Sequence, residues 1–323
     1  MRRRVRVSWW GLGYGYVHGL GYGYGLGNGN GYGGGHGHRY DPKMDRELEK
    51  SLDRAAEAIA SAEALLTTAG AGIGVDSGLP DFRGNEGFWR AYPPLRKLGI
   101  SFMDMANPIW FKRDPELAWG FYGHRLGLYR ATEPHDGFRI LRRWGDGCRN
   151  GSFVFTSNVD GQFQRAGFNP DHILECHGSI HHLQCLKHCG EITRADPFEV
   201  MVDDETFRAA PPLPSCPVCG ALARPNVLMF GDWGWLPERT SAQEQRFADW
   251  VAHLGDAPLV ILEIGAGTAV PTVRMTSEQI AHRPGATLIR INVREPQAPR
   301  NHIGIAMGGL EALTQVDHRL RDA

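Results

Sequence analysis

The pattern of apolar and polar residues divides most of the chain into alternating helices and strands. Between residues 48 and 59 the apolar positions fall on one stripe, which predicts an amphipathic helix. A continuous apolar run at 64–66 follows and predicts a short buried strand. The same criteria predict helices that begin at 115 and 137, and strands at 153–155, 173–176, 259–264 and 287–292. Helices that alternate with strands are typical of an α/β fold.

Residues 1–43 differ from the rest of the chain in composition. Glycine alternates there with tyrosine, asparagine and histidine. So much glycine leaves too little apolar area to offset the entropy of ordering, and we expect a disordered extension. This extension lacks the pattern of a signal peptide, because no apolar segment follows its basic start. A domain at 44–323 is therefore expected, with Met44 as an alternative start of the natural chain.

Length and charge narrow the class of protein. The 323 residues carry a net charge of −1, and 42% of them are hydrophobic. Such a chain can bury a large core, as one α/β domain with a smaller satellite. The near-neutral charge gives no electrostatic reason to expect nucleic-acid binding. No apolar run is long enough to cross a bilayer, and no pattern specifies an oligomeric state.

A glycine-rich turn follows the first predicted strand. Its glycines let the backbone approach a pyrophosphate closely and leave N–H groups free to donate to it. A carboxylate, an aromatic ring and a guanidinium come directly afterwards. A turn that merely reverses the chain would explain the glycines but not these side chains, so the segment predicts a nucleotide site. The expected cofactor contacts are Gly70, Ala71, Gly72, Asp81, Phe82 and Arg83.

Polar residues follow two further predicted strands. The segment 156–160 ends the second strand, and open α/β sheets bind ligands at the carboxyl ends of their strands. His177 follows the third strand and precedes a glycine, which leaves its ring open to a ligand. Imidazole suits a general base because its pKa lies near working pH. The other histidines of this region are expected to be structural or exposed to solvent.

Four cysteines form two close pairs, Cys185 with Cys189 and Cys216 with Cys219. Four thiolates with no open position are what a structural zinc site requires. In a chain without a secretion signal such pairs indicate a metal site rather than disulfides, and hence a reducing compartment, the cytoplasm. Zinc ribbons that bind nucleic acid share the pattern, but the low positive charge argues against that use.

Tyr122 and Arg125 share one face of the helix predicted to begin at 115. A planar guanidinium beside a phenol is a good receptor for a carboxylate at the end of a pocket. The alternative is a surface arginine beside a core tyrosine, because a pair of this kind arises often on helices.

These motifs together resemble those of the sirtuins, the NAD-dependent protein deacylases, over residues 45–318. The first loop is similar to T-G-A-G-I-S-x-x-S-G-I-P-D-F-R, the segment 156–160 to T-Q-N-I-D, and 177–179 to H-G-S. The segment 224–232 is similar to R-P-x-V-V-x-F-G-E. The chain departs from these patterns at Ala69, Gly74, Ser157 and Asp232.

The resemblance implies a Rossmann-like parallel sheet built from 44–84, 126–178 and 229–323. A helical and cofactor-loop insert would occupy 85–125, and a zinc module 179–228. NAD would also contact a second loop and the end of the last predicted strand, and the substrate would lie along the strand that ends near 230. The implied cofactor residues are Ser157, Asn158, Asp160, Gly265, Ala266, Gly267 and Asn292. The implied substrate residues are Val227, Phe230, Gly231 and Asp232, with Tyr122 and Arg125.

The implied reaction removes an acyl group from a protein lysine, consumes NAD, and releases nicotinamide and O-acyl-ADP-ribose. His177 would be the general base, and Asn158 and Asp160 would orient the ribose and water. Tyr122 and Arg125 match a pair that, in one sirtuin subgroup, binds succinyl and malonyl groups. Ser157 replaces the glutamine of the family, so an NAD glycohydrolase or an ADP-ribosyltransferase is an alternative. A non-catalytic NAD-sensing zinc protein is another, although His177 counts against it.

Overall fold

The computed structural model describes residues 42–80 and 84–322. The chain divides into two units, 1–47 and 48–323, and both sheets belong to the second. The expected disordered extension and the predicted contacts Asp81, Phe82 and Arg83 lie outside the described residues. The helices are α1 (Pro42–Ala60), α2 (Gly84–Ala91), α3 (Pro93–Lys97), α4 (Phe102–Met105), α5 (Trp110–Arg113), α6 (Pro115–Ala131), α7 (Asp136–Gly147), α8 (Gln162–Arg165), α9 (Glu238–His253), α10 (Thr272–Ala281) and α11 (Gly309–Asp322).

The strands form two sheets, one parallel and one antiparallel. They are β1 (Ala64–Ala69), β2 (Ser152–Thr156), β3 (Ile173–Glu175), β4 (Gly178–Cys185), β5 (Thr193–Arg194), β6 (Ala223–Val227), β7 (Leu259–Ile264), β8 (Ala286–Ile291) and β9 (Ile303–Ile305). The parallel sheet has the order β3-β2-β1-β7-β8-β9, and the smaller sheet has the order β5-β4-β6.

Strand β1 lies in the middle of the parallel sheet, with β2 on one side and β7 on the other. The chain first builds outward from β1 to β3 and later returns to build from β7 to β9. The strand order therefore reverses between β1 and β7. In open α/β sheets this point, at the carboxyl ends of the strands, is where ligands bind.

The two faces of the parallel sheet are covered by different helices. Side chains of β1 alternate between them, so Leu65 belongs to one apolar cluster and Leu66 to the other. The first cluster includes Leu52 of α1, Phe138 of α7 and Leu313 of α11. The second includes residues of α9 and α10, among them Phe247 and Val273. Helices on both faces make this the Rossmann-like α/β fold expected from the sequence.

A separate aromatic core joins the short helices to the smaller sheet. It contains Phe121 and Tyr122 of α6 together with Leu183 of β4. The aromatic and proline-containing stretch after residue 83, which opens the expected helical and cofactor-loop insert, forms α2 and α3, and Phe88 and Tyr92 are buried in this core. The expected domain boundary at residue 125 falls inside α6, which continues to Ala131.

Helix α6 begins where the sequence places it. The Asp114 carboxylate accepts a hydrogen bond from the Leu117 N–H at 3.2 Å, and Pro115 occupies the first helical position. None of the helices in the described ranges is both long and apolar enough to span a membrane.

Candidate active site

The first glycine loop and the loop after β7 pack backbone against backbone. A Cβ atom on Gly70 would lie 2.8 Å from the Gly265 carbonyl oxygen and from Ala266 Cα. A Cβ on Gly265, whose φ is +64°, would lie 2.5 Å from Gly72 Cα. Only glycine allows this approach at either position. The two predicted cofactor loops are therefore one continuous surface at the strand-order reversal.

The glycine N–H groups have different partners from those expected. Gly70 donates to the Ile264 carbonyl and Gly72 to the Gly265 carbonyl, both at 3.0 Å. The expectation that these two N–H groups are free for a pyrophosphate is therefore wrong. Their role in the structure is to fix the loop against the end of β7, in a short 3-10 helix at Ala71–Ser77.

The segment after β2 is tied to the same loop. Thr156 Oγ1 and the Ser157 N–H both donate to the Ala69 carbonyl, at 3.0 and 3.2 Å. The Asn158 side-chain amide donates to the Gly70 carbonyl at 3.1 Å. The structure thus brings the predicted residues Ser157 and Asn158 next to the glycine loop.

Asp160 lies at the start of α8 with its carboxylate held in place. One carboxylate oxygen accepts a hydrogen bond from the Gln162 N–H at 2.9 Å. Burial raises the pKa of Asp160 to about 6, an effect opposed by that hydrogen bond and by the positive charge of Arg125. The carboxyl group is therefore ionised at neutral pH and takes up a proton within the range in which enzymes are assayed.

His177 lies between β3 and β4 and joins the segments on either side. Its carbonyl accepts a hydrogen bond from the Leu228 N–H at 3.0 Å. Burial lowers the pKa of His177 to about 4, although the nearby Ser157 backbone opposes the shift. The imidazole is therefore neutral at physiological pH, as a general base must be.

Asn292, expected to contact the adenine ribose, holds the second loop in shape. Its side-chain amide donates to the Ala266 carbonyl at 2.8 Å. Its side-chain oxygen accepts from the N–H groups of Arg294 and Glu295, at 3.0 and 3.1 Å. Asn292 is 3% exposed and, bonded in this way, it holds the backbone of the second loop at Ala266, which is itself buried.

The predicted substrate residues around 230 begin with Val227 at the end of β6 and continue into the segment after it, beside His177. Val227 pairs with Gly178 in the antiparallel register, where a Cβ on Gly178 would overlap the Asn226 carbonyl oxygen. The Phe230 N–H donates to the Ala106 carbonyl at 2.9 Å, which links this segment to the helical part. Gly231 has a φ of +66°, so the chain turns away there. Backbone hydrogen bonds therefore hold the segment that follows β6 next to His177, the predicted general base.

Asp232 is a buried partner of Arg224. Arg224 donates through both terminal nitrogens to the two Asp232 oxygens, at 2.7 and 2.9 Å. The same carboxylate accepts from the N–H groups of Met229 and Gly234, at 3.4 and 3.1 Å. The Asp232 carboxylate therefore fixes the shape of the loop that follows β6.

Tyr122 and Arg125 lie together inside the aromatic core. Arg125 is 7% exposed, and its guanidinium lies over the rings of Phe121, Tyr122 and Tyr129 at 5.2, 6.0 and 5.3 Å from their centroids. Its Nε and Nη2 donate to the Tyr129 hydroxyl at 3.0 and 2.6 Å. The sequence offered a carboxylate receptor or a surface arginine beside a core tyrosine. Neither alternative included the hydrogen bonds from Arg125 to Tyr129.

The four cysteine sulfurs have the spacing of a tetrahedral metal site. All four lie within 4.8 Å of one another, and the closest pairs are 3.6 to 3.7 Å apart. A zinc ion about 2.3 Å from each sulfur requires about 3.8 Å between them. Cys185 ends β4, so the strand that begins beside His177 carries a zinc ligand at its other end. The thiolate set fits the structural zinc expected from the sequence.

Several residues that shape the site were not identified from the sequence. Tyr129 stands one helical turn after Arg125, a spacing that could have indicated contact. His135 donates from Nε2 to the Ile73 carbonyl at 2.9 Å, while its Nδ1 accepts from the Gly137 N–H at 3.0 Å. No local pattern predicts the hydrogen bond from His135 to Ile73, since the two residues are far apart in the sequence and come into contact only in the folded chain.

Comparisons with known proteins agree with this geometry. The Sir2 family model matches residues 70–260. A relative from Aeropyrum pernix, named NAD-dependent protein deacylase, is 32% identical over 253 residues, which are 78% of this chain and 88% of the relative. A relative of the same name from Thermus thermophilus is 33% identical over 274 residues, 81% and 92% of the two chains. A solved Sir2 homolog–NAD complex is similar with a TM-score of 0.61 and 27% identity, covering 84% of this chain and 94% of that one.

Proposed function

The chain belongs to the Sir2 family, and on this premise we propose that it is an NAD-dependent protein deacylase. The observation that carries the proposal is the match, over most of both chains, to relatives named NAD-dependent protein deacylase. Its substrates are acyl-lysine side chains of other proteins, and its products are the free lysine, nicotinamide and O-acyl-ADP-ribose. The six free cysteines, four of them clustered, support a reducing compartment, the cytoplasm.

The joined glycine loops form the NAD site of this proposal. Gly70, Ala71 and Gly72 lie at the phosphates, and Gly265 to Gly267 lie toward the adenosine, on a loop that Asn292 supports. When bound, NAD supplies the ribosyl carbon that accepts the acyl oxygen as nicotinamide leaves. Asn158 and Asp160 orient the nicotinamide ribose, since both are fixed by hydrogen bonds to the backbone.

His177 is the general base. Its ring, which is neutral at physiological pH, takes the proton of a ribose hydroxyl. The backbone bond from Leu228 to His177 places the substrate segment, which includes Val227 and Phe230, beside this ring. An acyl-lysine peptide that pairs with this segment would present its carbonyl at the base. The zinc held by the four cysteines is structural, because a set of four thiolates has no open position.

We also propose that succinyl-lysine and malonyl-lysine are accepted along with acetyl-lysine. The support is the Arg125 guanidinium, which is buried among aromatic rings and donates to a neutral Tyr129 hydroxyl. An acyl carboxylate would accept charge-assisted hydrogen bonds from this guanidinium, and such bonds are strong in a region of low dielectric. Arg125→Met should then reduce desuccinylation and demalonylation by about 100-fold while it changes deacetylation by about 3-fold or less. Equal loss of all three activities would contradict this acyl preference.

The activity is tested by following both products. Purified protein is incubated with NAD and an acetyl-, succinyl- or malonyl-lysine peptide, and the peptide and O-acyl-ADP-ribose are measured by mass spectrometry. We expect deacylation that requires NAD and is lost in His177→Ala. Free ADP-ribose as the main product would favour an NAD glycohydrolase, and protein-linked ADP-ribose would favour a transferase. NAD binding without cleavage of any peptide would favour a non-catalytic sensor.

A further inference from the structure

The turn that carries Asp160 rests directly on β4. The Ile180 N–H donates to the Val159 carbonyl at 3.1 Å, and His181 Nε2 lies 2.8 Å from the Asp160 carbonyl oxygen. Gly161, with a φ of +72°, sits against the His181 ring, because a Cβ there would lie 2.8 Å from ring atoms Cδ2 and Nε2. The turn and the imidazole are therefore in direct contact on two sides.

The hydrogen bond defines the chemical state of the His181 ring. A carbonyl oxygen only accepts, so Nε2 must carry the proton and donate it. Burial lowers the pKa of His181, although the bond to Asp160 and the carboxylates of Glu175 and Asp196 oppose the shift. A neutral ring protonated on Nε2 therefore donates to the partly buried Asp160 carbonyl without placing another charge beside the Asp160 carboxylate.

Asp160 is then fixed at both of its polar ends. Its carbonyl accepts from His181, and its carboxylate accepts from the Gln162 N–H. We propose that His181 is a positioning residue for the NAD reaction, which holds the Asp160 turn through an Nε2–H bond. This inference rests on the proposed function of the same site. Displacement of a group that orients a reactant by about 1 Å can cost about 100-fold in rate.

The adjacent residue in β4 provides a matched control. His182 is also a partly buried histidine, but its Nδ1 atom has no hydrogen-bond partner among the described residues. Burial and the charges of Arg239 and Arg194 lower the pKa of His182 to about 3. Replacing a buried polar group that has no partner by an apolar one is nearly neutral or stabilising. A substitution at 182 therefore disturbs the same strand without removing a bond to the Asp160 turn.

The test compares His181→Leu, His181→Gln and His182→Leu in the full chain. Nicotinamide release is measured against NAD concentration with a saturating acetyl-lysine peptide, and zinc content and thermal stability are measured for each variant. We expect His181→Leu to lose about 10- to 100-fold in kcat/KM for NAD with its zinc retained. His181→Gln should recover most of this loss, since its amide nitrogen can occupy the place of Nε2. His182→Leu should stay within about 2-fold of the original protein.

Three results would overturn the inference. One is unchanged kinetics in His181→Leu, and another is an equal loss in His182→Leu. The third is no recovery in His181→Gln while its stability matches that of the original protein. A protein that cleaves no NAD with any acyl peptide would instead refute the proposed function. In that case the role of His181 is still tested by NAD affinity, which should weaken in His181→Leu and not in His182→Leu. Long-range proton–nitrogen NMR should also show His181 protonated on Nε2.

Discussion

Arg224 and Asp232 form a doubly hydrogen-bonded ion pair in which the side chains are 2% and 0% exposed. The pair joins β6 to the loop that follows it, beside the segment that contacts His177. A buried pair of this kind is weak support for overall stability, because desolvation offsets much of the attraction. Removing one partner is different, since it leaves the other charge buried and uncompensated.

Arg224→Met should therefore lower the free energy of unfolding by about 3–5 kcal/mol. Urea unfolding followed by circular dichroism measures this change. The double variant Arg224→Met with Asp232→Leu removes both charges and should recover part of the loss. A single variant that loses less than about 1 kcal/mol would mean that the pair is solvated in solution.

The pH dependence of activity should follow Asp160 rather than His177. The pKa of Asp160 is raised to about 6 and that of His177 is lowered to about 4. Both groups are in their active forms above pH 7, so kcat/KM for NAD should be flat from about pH 7 to 8. It should fall as pH drops through about 6, where Asp160 takes up a proton and loses its charge. NMR titration of His177 should show a neutral ring at that pH, and an activity loss that follows His177 protonation near 6.5 would contradict the assignment.

Removal of the zinc should disrupt the proposed active site around His177, although the zinc ligands lie at the other end of β4. Cys185 and the residues that follow His177 belong to the same strand, β4, so loss of metal should loosen both ends. Cys216→Ser should reduce the zinc content from about one per chain to near zero and abolish peptide-dependent nicotinamide release. Cys148→Ser is the control, because Cys148 lies outside the cluster. Full activity in a zinc-free protein would show that the module is dispensable.

The contact between the two glycine loops predicts a local effect on NAD binding. Gly265→Ala places a methyl group against Gly72 and should weaken NAD affinity by about 10-fold or more. Gly255→Ala is a matched control, since its φ of +55° is also positive but a Cβ there meets no heavy atom of the described chain within 4 Å. Both variants carry the cost of a positive φ, and only the first should change NAD affinity in calorimetry. Equal NAD affinities would contradict the packing of the loops.

Much of the fold could be predicted because its strands are continuous apolar runs. The strand predicted at 259–264 is observed with the same bounds, and the predicted site residues after β2 and β3 lie at the expected end of the sheet. The insert at 85–125 was expected to contain helices, but the bounds of the short helices at 84–97 were not predicted, because burial of Phe88 and Tyr92 in an aromatic core outweighs the proline-broken local pattern.

The hydrogen-bond partners of the predicted site residues could not be read from the sequence. The sequence predicts that Gly70 and Asn292 belong to a nucleotide site. It does not predict that the Gly70 N–H and the Asn292 amide donate to backbone carbonyls. Those partners belong to distant parts of the chain, so no local pattern reveals them. The pairing of Arg224 with Asp232 and the contact of His181 with Asp160 depend in the same way on how the smaller sheet packs.

The most direct test of the central claim is the ratio of nicotinamide released to lysine deacylated, measured with and without an acyl-lysine peptide. A protein deacylase should give about one nicotinamide per deacylated lysine and almost none without peptide, and His177→Ala should give neither product. Release of nicotinamide at the same rate without peptide would contradict the account, because the site would then cleave NAD with water and without an acyl group.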